Sequence, residues 1–156
     1  MNLNLIFDRS QTDVEHANAL VLKMQSGETL TEEEQTEYMA GLKGRYNVSD
    51  INRVNGAVRY VYGILSSLGY IATISAVDIS QGDIVTETYV TTYINNIRNL
   101  YNVFVHFDTT PEPPTMDDWI DYLTANNIEK ILTDLNDLAE RIVASVRYSN
   151  TFYAGE

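Results

Sequence analysis

The sequence predicts a mainly α protein of the α+β class, a helical bundle of about five helices with a small β element. Apolar residues recur at helical spacing in five stretches of the chain. Capping residues precede most of these stretches, and glycines follow several of them. One stretch between two helices is instead β-branched and alternating. The length of 156 residues suits a single domain, so we expect one α-rich domain over residues 1–156 with short extended segments at both ends.

The first third of the chain predicts an extended arm and two helices. Residues 3–7 alternate between apolar and polar side chains, as in a short strand or an extended arm. Residues 12–15 (Thr-Asp-Val-Glu) form a capping-box pattern, which opens a helix that should stop near Gly27. Residues 31–34 (Thr-Glu-Glu-Glu) repeat the pattern before a shorter helix, for which Gly44 is the expected end.

The most regular helical pattern lies in residues 49–68, where apolar residues return at steps of three, four and seven. Ser49 or Asp50 is the expected cap, and Gly69 should end the helix. Residues 70–77 (Tyr-Ile-Ala-Thr-Ile-Ser-Ala-Val) alternate and are rich in β-branched side chains. This pattern predicts a strand, which is the small β element of the fold.

The second half predicts two further helices separated by a proline-rich loop. A fourth helix should run from about residue 86 to residue 104. All three prolines fall in residues 108–114, which must therefore form an extended loop. Thr115 is the expected cap of the last helix, with Asp118 at its third position, and the apolar stripe continues to about Val146. Residues 148–156 are too polar for a helix and predict a tail or an edge strand.

The charge and the composition exclude several classes of function. The chain has 22 acidic and 10 basic residues, giving a formal net charge of −12. Such a surface repels nucleic-acid phosphates and anionic membranes, so we expect neither as a partner. No apolar run approaches the ~20 residues of a membrane-spanning helix, and no signal peptide is visible. We therefore expect synthesis in the cytoplasm without secretion by a signal peptide.

The residues that usually carry catalysis or bind metals form no recognisable motif. Cysteine is absent and the only histidines are His16 and His106, so thiolate and three-histidine sites are excluded. Asp134, Asn136 and Asp137 lack the central glycine and the terminal glutamate of a calcium loop. We predict no enzyme activity, no catalytic residue, no cofactor and no metal. A hydrolase that uses acidic residues is the competing hypothesis, and it requires a pocket of converging carboxylates with raised pKa values.

Three helices share a local pattern in which an asparagine stands two positions before a β-branched residue. The asparagines are Asn52, Asn95 and Asn126. Asparagine is a mediocre helix former, because its amide competes for backbone groups. We predict that these amides bind a neighbouring loop or helix and fix how the helices cross. Chance recurrence of so short a pattern is the alternative, since a true internal repeat would need a longer match.

Two phrases give the chain a family resemblance. Residues 46–55 (Tyr-Asn-Val-Ser-Asp-Ile-Asn-Arg-Val-Asn) resemble the phrase Tyr-Asn-x-x-Asp-Leu-Asn-Arg-Val-Glu of phage and prophage proteins from Gram-positive bacteria, departing from it at Asn55. Residues 125–129 (Ala-Asn-Asn-Ile-Glu) match their second phrase, Ala-Asn-x-Ile-Glu. The likeness runs from about Thr29 onward. It implies a structural protein of the virion or tail, located in the virion and forming homo-oligomers, contacts with other virion proteins, or both.

Aromatic side chains near the carboxyl end are candidates for partner contacts. Tyr148, Phe152 and Tyr153 lie in a segment without a strong helical pattern, and they suit either docking to a neighbouring subunit or packing on the chain's own body.

The alternative to a structural role in the virion is a small acidic inhibitor or immunity-type protein that covers a basic site on an enzyme or nuclease. The sequence leaves carbohydrate binding open.

Overall fold

The computed structural model describes residues 3–115 and 120–152, with side chains as far as Val146, and this part of the chain contains five helices and no β-strand. The helices are α1 (Gln11–Gln25), α2 (Glu32–Ala40), α3 (Val48–Ser67), α4 (Glu87–Val103) and α5 (Tyr122–Phe152). The predicted mainly α bundle is therefore confirmed. The predicted small β element is wrong.

Three parallel helices, α3, α4 and α5, build the core by packing against one another. Arg53 of α3 contacts Glu129 of α5, and Tyr60 further along α3 contacts Glu140, so the two helices run in the same direction. Most of the completely buried aliphatic side chains belong to these helices: Val54, Val58, Val61, Leu65, Ile94, Ile97, Leu100, Ile128, Ile131, Leu132 and Leu135. Because neighbouring helices are parallel, each connection must return along the length of the bundle.

The segment predicted as a strand, residues 70–77, is extended but has no partner strand. Its alternation is real: Ala72, Ile74 and Ala76 pack against the core, whereas Thr73 and Val77 are exposed. The alternating pattern indicates that one face of an extended chain is buried. It does not indicate which groups form hydrogen bonds with the backbone N–H and C=O groups. Here side chains of α3 and α4 bind the backbone, so no ladder between strands forms. Residues 3–7 likewise form no strand, and within them Asn4 has a φ of +50°, in the left-handed region.

Several predicted helix ends are confirmed. Thr31 caps α2 and forms a capping box with Glu34. Thr86 caps α4 by accepting a hydrogen bond from the backbone N–H of Tyr89 at 3.2 Å. Gly69 follows α3 with a φ of +90°, a left-handed conformation that glycine adopts without strain.

The start of α1 and the end of α2 differ from prediction. Ser10, not Thr12, caps α1, and Asp13 completes the capping box. The Ser10 hydroxyl lies two residues earlier, where the arm still has extended backbone, and this is the conformation that a cap requires. Helix α2 ends at Gly41, with a φ of +94°, and not at Gly44. Gly44 instead packs against α1, where a Cβ atom would lie 2.0 Å from the carbonyl oxygen of Asp13.

The start of α3 also lies earlier than predicted. Asn47 is the cap, so neither Ser49 nor Asp50 has that role. Asp50 occupies the third helical position and its carboxylate accepts a hydrogen bond from the backbone N–H of Asn47 at 2.8 Å. The same carboxylate takes part in a buried ion network described below, which explains why this side chain lies inside the helix.

Helix α5 is both later in its start and longer than predicted. Its first turn is held by Asp121, whose carboxylate accepts a hydrogen bond from the backbone N–H of Thr124 at 2.7 Å, so Thr115 is not its cap. Asp118 lies outside the described residues. The helix continues to Phe152, where a tail or an edge strand was predicted. Residues 122–152 contain no glycine or proline, and adding a residue to an existing helix costs little.

Helices α1 and α2 form a small unit beside the core. Ala17, Leu20 and Leu42 make a second apolar cluster there. Helix α2 has no buried residue and is held partly by ion pairs. Among the described helices, none combines the length and the hydrophobicity that a membrane crossing requires.

Candidate functional site

Four charged side chains meet where the amino-terminal arm crosses α3 and α5. Arg9 of the arm donates to Asp50 at 3.0 Å and to Glu129 at 2.8 Å. Arg53 of α3 donates to Glu129 at 3.0 Å and to Asp50 at 2.5 Å. Glu129 is completely buried, and Arg9 and Asp50 are each only 5% exposed. Because two cations face two anions, the network places no uncompensated formal charge in the interior.

Backbone groups complete the ion network. The N–H of Ile6 donates to Glu129 at 2.6 Å, and the Arg9 guanidinium donates back to the carbonyl oxygen of Ile6. Burial alone would raise the pKa of Asp50, but the N–H of Asn47 and the neighbouring Arg53 hold it below its ordinary value. Both carboxylates therefore serve as acceptors for the arm and for α3. The geometry provides charge compensation and anchoring for the arm.

Two tyrosines extend this network into the core. The hydroxyls of Tyr46 and Tyr93 form a hydrogen bond, and the Arg9 guanidinium lies 5.5 Å from the centre of the Tyr46 ring. Burial raises the pKa of both tyrosines well above the ordinary value, so both stay neutral at physiological pH. The arm, α3, α4 and α5 are thus joined through polar groups at one end of the bundle.

Asparagines of α3 hold the connection that follows this helix. The Asn52 amide donates to the carbonyl oxygen of Ile79 at 2.8 Å and accepts from the N–H of the same residue at 2.9 Å. One turn later, Asn55 donates to the carbonyl oxygen of Val77 at 2.8 Å. The amides replace the strand partner that residues 73–79 lack, because an amide offers one donor and one acceptor side, as a peptide group does.

Helices α4 and α5 repeat this arrangement. Asn96 of α4 accepts from the N–H of Ser75 at 2.7 Å and donates to its carbonyl oxygen at 3.0 Å. Asn126 of α5 accepts from the N–H of Arg9 at 3.1 Å and donates to its carbonyl oxygen at 2.8 Å. Three helices therefore each clamp one residue of an extended segment through a two-bond amide contact. We call these three contacts the amide clamps.

Each amide clamp has a second polar contact one helical turn further on. Asn55 follows Asn52, Asn99 follows Asn96 and binds Thr73, and Glu129 follows Asn126. A helix advances about 4.5 Å in three residues, and an extended chain advances about 6.6 Å in two. In α3 and α4 these steps are close enough for polar side chains at i and i+3 to reach backbone groups two residues apart in a segment that runs antiparallel to the helix. In the arm the two contacts are three residues apart, at Arg9 and Ile6.

The predicted interhelix residues occupy different positions relative to these contacts. Asn52 and Asn126 each form an amide clamp, and both bind extended segments and not other helices. Asn95 is half-buried, and its neighbour Asn96 makes the clamp in α4. The pairs of asparagines three residues apart in α3 and α4 are the sequence signal that would have identified Asn55 and Asn96. A search for one asparagine before a β-branched residue does not reveal them.

Of the residues predicted to contact a partner, the structure describes only the backbone of two. Tyr148 and Phe152 belong to the last turns of α5, although their side chains lie outside the described part of the molecule. Tyr153 lies outside the described residues altogether.

The two histidines and Asp134 have local structural partners. His16 pairs with Glu37 at 2.9 Å between α1 and α2, and His106 stacks on Tyr101 with ring centres 4.0 Å apart. Asp134, discarded as a calcium ligand, accepts from the hydroxyl of Thr110 at 2.9 Å and so holds the loop that precedes α5. Within residues 3–115 and 120–146, no group of three or more histidines and acids has the geometry of a metal site.

Exposed apolar side chains concentrate in the connection between α3 and α4. Ile71 is 81% exposed and Ile84 is 88% exposed, and Tyr70, Val77 and Val85 of the same connection are also accessible. Asparagines of α3 and α4 bind the backbone of residues 73–79 of this connection. Ile71 and Ile84 flank this held segment, and Val77 lies within it.

Comparisons with known proteins assign no relative to this chain. No protein-family model matches the sequence, and neither the search of curated proteins nor the search of solved structures gives a significant match.

Proposed function

We propose that this protein is a non-enzymatic structural protein of a phage or prophage, a component of the virion or tail that assembles through protein–protein contacts. Its partners are further copies of the same chain, other virion proteins, or both. In this proposal the protein functions through the surfaces that contact its partners, and its buried polar residues stabilise the segments that carry those surfaces.

The exposed apolar side chains of the α3–α4 connection are the observation that carries this proposal. Ile71 and Ile84 are almost fully accessible in a chain that buries its other isoleucines more deeply. Long connections without secondary structure of their own usually serve binding. Side-chain amides hold residues 73–79 between the two isoleucines, so a partner that docks there has less backbone entropy to remove than on a free loop.

The residues that carry the family resemblance support the same role. Arg53 belongs to the first phrase and Glu129 to the second, and these two side chains form a buried ion pair at 3.0 Å. Asn126 of the second phrase clamps Arg9, which binds Asp50 of the first. The two phrases thus form one anchoring unit for the arm, and such a unit serves the architecture of the protein.

Measuring the mass of the purified protein in solution tests the proposal. We expect self-association, or a complex with a virion protein encoded beside it, and we expect Ile71→Glu combined with Ile84→Glu to abolish either one. Leu22→Glu is the matched control, because Leu22 is also an exposed aliphatic residue but lies on α1. A strict monomer that binds no virion protein contradicts the proposal. Tight binding to a basic enzyme or nuclease would favour the inhibitor function.

A further inference from the structure

A pocket of about 310 Å³ opens between α3, the beginning of α4 and the connection between these helices. Its lining includes Asn55, Ser75, Thr88, Tyr89 and Thr92. The described residues that line it include no charged side chain, although charged residues make up 21% of the chain. Its volume is at the lower end of the range of ~300–1,000 Å³ that is usual for small-molecule sites. An uncharged ligand of one ring suits this space.

The pocket offers hydrogen-bonding groups that the fold leaves unused. Asn55 is 1% exposed, and its amide nitrogen donates to Val77 and, at 3.0 Å, to the hydroxyl of Tyr89. Its Oδ1 accepts no hydrogen bond from the described residues. The hydroxyls of Ser75 and Thr88 are likewise not engaged by any described residue. These three groups line the pocket, so they are available to a ligand that carries hydroxyl groups.

An aromatic wall accompanies these polar groups. Tyr89 is half-buried, and its ring lies parallel to that of Tyr93 with 6.4 Å between ring centres. The hydroxyl of Tyr89 donates to the carbonyl oxygen of Val77 at 2.8 Å, which fixes the ring. A fixed aromatic ring binds the C–H face of a flat, saturated ring, while hydroxyls and amides bind groups at its rim.

We propose that this pocket binds a neutral saccharide through a single pyranose ring. The sugar ring packs against Tyr89, one of its hydroxyls donates to Asn55 Oδ1, and others bond with the hydroxyls of Ser75 and Thr88. The lack of charge in the lining selects against sialic acids and sugar phosphates, because an ionic group would be desolvated without a counter-charge. This site is independent of the proposed assembly role, and either proposal can fail without the other.

Titrating the ¹⁵N-labelled full chain with neutral monosaccharides, followed by NMR, tests this site. Glucose, galactose and N-acetylglucosamine are the probes, N-acetylneuraminic acid is the charged arm, and cyclohexanol is a ring of similar size with one hydroxyl. We expect saturable shifts of the amides of Ser75, Val77 and Thr88 with at least one neutral sugar. We expect weaker shifts with N-acetylneuraminic acid and with cyclohexanol.

Thr88→Val removes one pocket hydroxyl at nearly constant volume, and we expect it to weaken sugar binding about tenfold, as the loss of one good hydrogen bond does. Thr91→Val is the matched control on the same helix, because Thr91 does not line the pocket. Three results overturn the proposal: no saturable shift with any sugar, an equal effect of both variants, and a stronger response to cyclohexanol than to every sugar.

Discussion

Replacing Glu129 by glutamine removes one negative charge from a site in which two arginines are held. The carboxylate of Glu129 is completely buried and accepts hydrogen bonds from Arg9, from Arg53 and from the N–H of Ile6. Glutamine has nearly the same volume, so the variant changes charge and hydrogen bonding without leaving a cavity. The two guanidinium groups then share only the carboxylate of Asp50.

The expected loss of stability follows from this excess charge. Removing one partner from a buried ion pair costs about 3–5 kcal/mol. Since the glutamine oxygen still accepts one hydrogen bond, we expect about 3 kcal/mol, or a melting temperature roughly 6–12 °C lower for a domain of this size. Urea and thermal unfolding followed by circular dichroism at the helical band measure both quantities. Asp137→Asn is the control, because Asp137 lies exposed on the same helix, and it should change stability by less than about 0.5 kcal/mol.

A double-mutant cycle with Arg53→Gln separates charge from packing. Combined with Glu129→Gln, this variant leaves Arg9 and Asp50 as one balanced pair, so the double variant should lose less stability than the sum of the single variants by at least about 1 kcal/mol. Strict additivity, or an unfolding free energy of Glu129→Gln within about 0.5 kcal/mol of the unmodified protein, would refute the view that this network is held by charge compensation.

Three further outcomes follow from other contacts. Asn96→Ala removes two hydrogen bonds and should cost about 2 kcal/mol, and amide hydrogen exchange at Ser75 should become much faster. The pKa of His16 is raised by its hydrogen bond to Glu37 and by the negative charge of that residue, so the pair should stabilise the α1–α2 unit below about pH 6.5 and lose its effect as pH rises through the raised pKa, as exchange of α2 amides will report. Gly44→Ala brings a Cβ within 2.0 Å of backbone and should cost about 1–3 kcal/mol in urea unfolding.

Each of these outcomes has an internal control. Asn102→Ala also changes an asparagine of α4, but this residue is exposed near the end of the helix, and Ser75 exchange should stay unchanged. Glu37→Gln should remove the pH dependence of α2 exchange, and a dependence that persists would exclude His16 as its origin. Gly63→Ala has open space around it in α3, so a loss of stability as large as that of Gly44→Ala would show that close packing is not the cause.

The helices could be predicted from sequence because their signals are local. Apolar spacing of three and four residues, the Thr31 cap, the start of α4 near residue 86 and Gly69 depend on neighbours within one or two turns, and all are found where the pattern put them. The start of α1 was predicted wrongly, because Thr12 and Glu15 match the capping-box pattern although Ser10 and Asp13 form the box. The end of α5 was missed because a polar composition does not stop a helix that contains no glycine or proline.

The candidate site was only partly predictable for the same reason. An asparagine in a helix is a visible anomaly, and Asn52 and Asn126 could be singled out from it. The backbone groups that these amides bind are 27 and 117 residues away, and no pattern within the helix predicts which residues they belong to. The residues that bind Glu129 are also far away in the sequence. Its complete burial could therefore not be inferred from its position beside the apolar residues of the last helix.

The amino-acid sequence by itself determined that this chain forms five amphipathic helices, roughly where each of them lies, and that residues 70–77 have one buried face. The tertiary structure decided what binds that extended backbone, because a strand and a clamped segment have the same alternation. It also decided which charges are buried, since Arg9, Asp50 and Glu129 become neighbours only when three distant parts of the chain meet. Periodicity is a property of adjacent residues, whereas compensation of charge and of hydrogen bonds is a property of the packed molecule.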